Sequence, residues 1–320
     1  MVSTCSAAMV IPPGGRDPAC RRSASAAPSR GDPRLGPEAS QRTPTIASAT
    51  GGRAAHRVAD GRSARALEAQ MAVSGNEFVR TAREIFDGVA TGQAEAVGRA
   101  AELVTGSVRA GGVVHAFGTG HSQALAMEIA GRAGGLVPTN MIALRDLVVH
   151  GGEPPGVLFD PHLERTPEVA HRLYELAPVS PQDVFVVASN SGVNGAVVEF
   201  ARLVAERGHR LVAITSRQHS EQVNSRHPSG KRLADFADVV LDNGAPYGDA
   251  VLPLPGGGAV CGVSSITAAL LAQMLVAEVV SALLAAGEAP PVYLSANIPE
   301  GDEHNRALEE RYAGRIRRGA

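Results

Sequence analysis

The amino-acid sequence predicts an α/β fold, a three-layer αβα sandwich built on a parallel sheet. From residue 76 onward, apolar runs of strand length alternate with longer stretches of helical periodicity. The run at 183–188 is continuously apolar after its first residue, as in a strand covered on both faces. Two of the apolar runs end in a polar, Gly-containing turn that opens a helix, which is typical of such folds.

Composition indicates a globular chain with a large core and argues against several classes of function. Of the 320 residues, 44% are hydrophobic, and the net charge is −2. The charge is uneven, because residues 1–70 hold ten Arg and five acidic residues while the rest carries an acidic excess. We therefore expect no nucleic-acid partner. Polar residues interrupt every apolar run before about 18 positions, so we expect no membrane partner either.

Cysteine usage indicates a reducing compartment. Cys5 and Cys20 lie near the N-terminus, which leaves Cys261 alone in the rest of the chain. This pattern excludes a disulfide framework and a multi-cysteine metal site. The His and acidic residues within 144–165 lack the close spacing of metal ligands. We therefore expect a cytoplasmic protein with no cofactor and no metal.

The first 70 residues differ sharply in composition from the rest. Residues 1–70 contain no Phe, Tyr or Trp and are rich in Ala, Arg, Ser, Pro and Gly. Such a segment cannot bury enough apolar surface to offset its ordering entropy, so we predict that it is disordered. The abrupt change suggests the hypothesis that Met71 is the native start, with one folded domain at 71–320. A peptide from residues 10–60, found by mass spectrometry of the native protein, would contradict that hypothesis.

The folded domain alternates helices and strands along its length. Helical periodicity over 76–109, with a break near 88–92, predicts two helices before the first strand. A long loop is expected between the last strand and the helix that begins at 264. The predicted strands are 112–117, 136–142, 183–188, 210–215 and 238–241, and the later helices are 123–133, 166–176, 195–207, 264–286 and one from about 302.

The first polar turn is Gly118-Thr119-Gly120-His121-Ser122, between the first strand and the helix after it. Glycine lets the backbone approach a ligand closely, and the free N–H groups at a helix start favour an anion such as phosphate. The turn lacks the glycine and acidic positions of a dinucleotide fingerprint. It is not a P-loop, because no Gly-Lys-Ser/Thr follows and Lys231 is the only lysine. A plain tight turn is the alternative interpretation.

A second turn of the same design, Ser189-Asn190-Ser191-Gly192-Val193-Asn194, follows the apolar strand. Its hydroxyl, amide and backbone N–H groups can satisfy phosphate oxygens without a lysine, at roughly 1.5–3 kcal/mol per charged hydrogen bond. Capping of the next helix is the alternative, but it accounts for only one of the polar side chains. We predict a phosphate-binding site formed by Gly118, Thr119, Gly120, Ser122, Ser189, Asn190, Ser191, Gly192 and Asn194.

Both turns resemble those of the sugar isomerase (SIS) domain family. The first is similar to the family's first loop, and the second to its Ser-x-Ser-Gly-x-Thr loop, with Asn194 in the Thr position. The tail, Ser295-Ala296-Asn297 and Asp302-Glu303-His304-Asn305, extends the likeness to bacterial UPF0309-type SIS proteins. The resemblance spans roughly residues 75–315. It implies a five-stranded parallel sheet, phosphosugar binding, and a homodimer or homotetramer with sites near the subunit interface.

Glu128 is the candidate catalytic base. It lies six residues after Ser122, which is about 9 Å along a helix and suits a phosphate at one end of a six-carbon chain. Apolar neighbours would raise the pKa of its carboxyl group. The resemblance implies a catalytic Glu on this helix, although typically nearer to the position that Arg132 occupies here. An ion pair between Glu128 and Arg132 is the alternative.

His121, Glu303 and His304 are the other catalytic candidates. His121 shares a helix face with Glu128, seven residues away. Glu303 or His304 would close over a neighbouring subunit's site as an acid or proton shuttle. The alternative for this tail is a solvated segment that caps the last helix.

Abstraction of the C2 proton from an open-chain sugar phosphate gives an enediol-like anion, which can react further in more than one way. If C2 carries an acetamido group, the C3 substituent leaves, as the resemblance to N-acetylmuramic acid 6-phosphate etherases implies. We therefore expect a dehydratase or lyase acting on an amino-sugar 6-phosphate of the N-acetylglucosamine 6-phosphate class. In this hypothesis Glu128 is the base, and His121 or His304 is the acid. An aldose–ketose isomerase and a non-catalytic phosphosugar sensor are the alternatives.

Overall fold

The computed structural model describes residues 73–318. The predicted disorder of 1–70 and the proposed start at Met71 lie outside the described residues. Short 3₁₀ turns connect several elements, one of them at Gly120–Ser122. The elements are α1 (Gly75–Gly92), α2 (Ala94–Arg109), β1 (Val114–Gly118), α3 (Gln123–Ile129), β2 (Thr139–Ile142), α4 (Asp146–Val149), α5 (Val169–Leu176), β3 (Val184–Ala188), α6 (Gly195–Glu206), β4 (Arg210–Thr215), α7 (Arg217–Glu221), β5 (Val239–Asp242), β6 (Ala250–Pro253), β7 (Ala259–Gly262), α8 (Ser264–Ala285) and α9 (Gly301–Glu310).

The predicted α/β sandwich is confirmed, and its centre is a five-stranded parallel sheet in the order β2-β1-β3-β4-β5. β1 and β3 pair directly, and their last residues, Gly118 and Ala188, lie side by side. Since the first polar turn begins at Gly118 and the second directly follows Ala188, the register brings the two turns to the same point on the carboxyl edge of the sheet.

Helices cover both faces of the sheet. Val184 and Val186 of β3 pack into a layer formed by α1, α2, α3 and α8, whereas Phe185 and Val187 pack into the layer that contains α5 and α6. Successive side chains of a strand point to opposite faces, so a strand with a core on each side needs an unbroken apolar run. This arrangement explains the run at 183–188 that the sequence shows.

Within the described part of the chain, α8 is the one helix that is long and apolar enough to cross a membrane by length and composition alone. Buried core helices pass the same test. One side of α8 is buried in the core, where Leu271, Leu275 and Val279 lie in the layer shared with α2 and α3.

Several segments differ from the sequence predictions. The second strand begins at Thr139 instead of 136, and the helix predicted from 166 begins at Val169. The helix after the first turn ends at Ile129 instead of 133, because Ala130 leaves the helical conformation and Gly131 has φ = 78°. A hairpin, β6–β7, occupies part of the expected loop before α8. Both strands are only four residues long and a Gly-rich connection separates them, so the sequence has no apolar–polar alternation long enough to predict a strand.

The C-terminal segment is held at the amino-terminal end of the sheet by the buried carboxylate of Asp183. Arg315 donates to both Asp183 oxygens, at 2.7 and 2.9 Å. The buried His115 ring donates to Asp183 Oδ2 over 3.0 Å through Nε2. Burial alone would raise the pKa of Asp183, but the hydrogen bonds from His115 and from the backbone N–H groups of Ser180 and Val113 hold it below its usual value.

Candidate functional site

The first turn is shaped by glycines that approach other backbone atoms closely. A Cβ atom at Gly118 would overlap the backbone carbonyl of Ser122, so only glycine fits there without movement. Gly120 has φ = 55°, in the left-handed region that glycine adopts most easily. The turn then runs through a 3₁₀ segment into α3, with His121 exposed and Ser122 half-buried. Both side chains are therefore available at the edge of the sheet.

The second turn is closed by its own first serine. Ser189 is buried, and its Oγ accepts the backbone N–H of Gly192 over 3.1 Å. Gly192 has φ = 64°, and a Cβ there would lie 3.1 Å from Oγ1 of Thr215. Because Ser189 accepts this bond, its hydroxyl hydrogen remains available to a ligand.

One cleft joins the two turns. His121 and Ser122 line it from the first turn, and Ser189 and Asn190 line it from the second. Its empty volume is about 300 Å³, including the solvent at its mouth. Among the described residues that line it, none is Lys, Arg, Asp or Glu, so a charged ligand would meet hydroxyl and amide dipoles and the ring of His121. The remaining lining residues are Leu125, Ala188, Ile214, Asn243, Ser264, Ser265 and Ala268.

Three polar residues of this cleft were not predicted from the sequence. Asn243 directly follows β5, and Ser264 and Ser265 open α8. Their sequence position was the one feature that could have indicated a role in the site, because Asn243 follows a strand and the two serines begin a helix. Their meeting with the two turns depends on the order of the strands and the path of α8, which no local pattern contains.

The start of α8 is capped by a carboxylate. Asp249 Oδ1 accepts the backbone N–H groups of Ser264 at 2.8 Å and Val263 at 3.1 Å, and Oδ2 accepts the Ser264 hydroxyl at 2.8 Å. Asp249 has φ = 70°, a strained conformation for a residue other than glycine. Because the hydroxyl hydrogen of Ser264 is donated to Asp249, the Ser264 oxygen can only accept a hydrogen bond from a ligand in the cleft.

The second turn does not present all of its side chains to one cavity. Ser191 and Asn194 line a separate polar depression, whose other lining residues are Val193, His219, Val223, Asn224, Ser225 and Arg226. Asn194 is held there, because its Nδ2 donates to Glu164 Oε1 over 3.0 Å and its Oδ1 accepts from Arg226 over 3.2 Å. Of the residues predicted to bind the ligand, Ser122, Ser189 and Asn190 share the cleft. Gly118, Thr119, Gly120 and Gly192 shape its turns.

Glu128 lies on α3 beyond the residues that line the cleft. It forms an ion pair with Arg132 and accepts a hydrogen bond from Nε2 of Gln273 over 2.6 Å. Both contacts involve Oε1. A carboxylate has lone pairs on two oxygens, so Oε2 is left able to accept a proton.

The tail candidates lie on α9. Glu303 is exposed, and His304 donates through Nε2 to the backbone carbonyl of Val292 over 3.0 Å. Neither residue lines the cleft of its own chain. Among residues 73–318, no group of three or more His, Cys, Asp or Glu side chains is arranged to hold a metal ion.

The comparison with known proteins agrees with the architecture. Residues 77–216 match the SIS domain family. The chain is 41% identical to UPF0309 protein lmo0025 of Listeria monocytogenes, with 76% of this chain and 98% of the relative covered. It is 38% identical to UPF0309 protein TTE0306 of Caldanaerobacter subterraneus, with 70% and 92% covered.

Solved structures with a similar fold include two phosphoheptose isomerases. The enzyme GmhA from Neisseria gonorrhoeae has a TM-score of 0.41 and 21% identity, and the alignment covers 67% of this chain and 99% of that one. The enzyme from Francisella tularensis has a TM-score of 0.45 and 16% identity, with 64% and 95% covered. On the identity and coverage of its sequence relatives, the chain belongs to the UPF0309 family of SIS-domain proteins.

Proposed function

We propose that the chain binds a sugar phosphate in the cleft between the two polar turns. The main support for this proposal is that Ser122, Ser189 and Asn190 line one cavity, although their turns are about 70 residues apart in the sequence. Serine and asparagine side chains there can donate to phosphoryl oxygens, and donors to a charged partner form the stronger class of hydrogen bond. Membership of an SIS-domain family supports the same ligand class.

The two ends of the cleft differ in what they offer a ligand. Around Ser122 and Asn190 the available groups can donate, which suits the phosphoryl group. At the start of α8 the Asp249 carboxylate would repel a second negative charge, and Ser264 offers only lone pairs. That end suits the hydroxyl groups of the sugar, so the phosphate would lie at the turns and the carbon chain would extend away from it.

For the reaction we propose elimination from an amino-sugar 6-phosphate. This step requires the open-chain sugar to extend past the lining residues to Glu128 on α3. Oε2 of Glu128 then takes the C2 proton, and the electron pair forms the C2=C3 bond as the C3–O bond breaks. His121 gives its proton to the departing oxygen, so a C3 hydroxyl leaves as water. Neither Glu303 nor His304 lines the cleft of its own chain, so their proposed role as proton shuttles requires that a neighbouring copy supply them.

Proton NMR in D₂O with a panel of sugar 6-phosphates tests the proposal. Elimination predicts an unsaturated sugar from N-acetylglucosamine 6-phosphate. Deuterium incorporated at C1 or C2, with no unsaturated product, would contradict elimination and indicate an aldose–ketose isomerase. Binding with no chemical change in any sugar would identify a sensor. A lack of binding by every sugar phosphate would contradict the whole proposal.

A further inference from the structure

Two asparagines at the carboxyl edge of the sheet form a hydrogen-bonded pair in the cleft. Asn190 belongs to the second turn and Asn243 follows β5, with the end of β4 between them. The backbone ladder continues past the strands and holds both residues. Asn243 N donates to Thr215 O over 3.0 Å, and Ser216 N donates to Asn190 O over 3.1 Å.

The direction of the pair is fixed by a backbone donor. The N–H of Ala245 donates to Oδ1 of Asn243 over 3.0 Å. A backbone N–H can only donate, so the atom that receives it must be the amide oxygen. Nδ2 of Asn243 therefore faces Asn190, where it lies 3.0 Å from Oδ1. Asn190 accepts this bond with its oxygen, so its NH₂ group is not used by the pair.

The NH₂ group of Asn190 has no acceptor among residues 73–318. Asn243 is only 2% exposed, so its amide is held by its surroundings as well as by Ala245. Asn190 is half-buried and lines the cleft. An amide with two free hydrogens at such a place is satisfied by an acceptor on a ligand or by water.

We propose that Asn243 is a positioning residue that keeps the NH₂ group of Asn190, and not its oxygen, turned toward the bound anion. The inference rests on the proposed function, because it takes a phosphoryl group to be the occupant of the cleft. It also adds a source of specificity. The correct amide presents donors to phosphoryl oxygens, whereas a reversed amide would place its carbonyl oxygen against their charge.

Asn243→Asp is the most direct test of this role. Aspartate can still accept the Ala245 N–H, so the local turn is kept, but it cannot donate to Asn190. The Asn190 amide must then reverse to bond with the carboxylate. We expect titration calorimetry with inorganic phosphate and with glucose 6-phosphate to show affinity reduced about tenfold in Asn243→Ala and about a hundredfold in Asn243→Asp.

The double variant Asn190→Ala/Asn243→Asp separates amide reversal from simple charge repulsion. Without the Asn190 amide only the added charge remains, so we expect Asn243→Asp to cost less affinity in the Asn190→Ala background than in the wild type. Asn76→Ala, on an exposed position of α1, is the matched control and should bind as the wild type does. Melting temperatures establish that each variant is folded.

NMR of the wild-type protein gives a readout that does not depend on any variant. Phosphate should shift the side-chain NH₂ resonances of Asn190. No such shift in a protein that binds phosphate, or equal costs of Asn243→Asp in both backgrounds, would overturn the role of Asn243 and leave the proposed function standing. A wild-type protein that binds no phosphate compound would overturn the proposed function, and this inference with it.

Discussion

At the scale of single residues, both contacts of Glu128 involve Oε1, which leaves Oε2 able to act as a base. Glu128→Gln removes the basic oxygen but keeps the size of the side chain, so we expect turnover to fall by about 10²–10⁴-fold while sugar phosphate binding is retained. NMR of the products and titration calorimetry measure the two effects. Glu95→Gln is the control, because Glu95 forms an exposed ion pair with Arg99 at the same i,i+4 spacing. Unchanged turnover in Glu128→Gln would remove Glu128 from the mechanism.

Glu199 is a second residue whose surroundings make a prediction. Its buried carboxylate bonds to Arg202, His227 and His171, and these contacts lower its pKa from 4.5 to about 2. A lowered pKa stabilises the folded state above the unfolded value, and this contribution is lost as the pH falls from about 4.5 to 2. The shift corresponds to about 3 kcal/mol at neutral pH.

We therefore expect Glu199→Gln to lower the free energy of unfolding at pH 7, by an amount that shrinks as the pH falls through that window. Urea denaturation between pH 7 and 3 measures the difference between the two proteins. Glu206→Gln is the control, since Glu206 binds the same arginine from an exposed position. A difference that stayed constant with pH would contradict the assigned role of the carboxylate.

At the scale of elements, the first turn depends on the close approach of Gly118 to Ser122. Gly118→Ala forces a Cβ atom into the Ser122 carbonyl, so the turn must shift and the cleft must change shape. We expect phosphate affinity to fall by tenfold or more, as measured by calorimetry, about the effect of losing one charged hydrogen bond. Gly106→Ala in α2 is the control, because nothing lies within 4 Å of its added Cβ and binding should be unchanged. Wild-type affinity in Gly118→Ala would show that the turn does not shape the site.

Most of the strands and both polar turns could be predicted from the sequence, whereas the hairpin could not. The positions of the central strands β1, β3 and β4 follow from their apolar runs, because strands buried on both faces need mostly hydrophobic residues. The edge strand β2 begins with Thr139 and Asn140, so its start was predicted three residues too early. The β6–β7 hairpin was not predicted because each of its strands has only four residues and β7 is fully exposed. The second turn was correctly placed at the carboxyl edge, but the division of its side chains between two depressions was not foreseen. Asn194 faces away because Glu164 and Arg226, both distant in sequence, hold it there.

At the scale of the whole molecule, the polar residues of the cleft come from four separate parts of the chain. The two turns, the end of β5 and the start of α8 meet there. The sequence predicted the two turns because each follows a strand and opens a helix. Asn243 and Ser264 could not be assigned in the same way, since the order of the strands and the path of α8 bring them to the turns.

The central claim is that the two polar turns hold one phosphoryl group in this cleft, with the start of α8 facing the sugar. A crystal structure of the protein with N-acetylglucosamine 6-phosphate tests it most directly. The account predicts phosphoryl oxygens within hydrogen-bonding distance of Ser122 and of the NH₂ group of Asn190, with the sugar directed toward Ser264. A phosphoryl group bound instead beside Arg226 and Asn194, in the second depression, would contradict it.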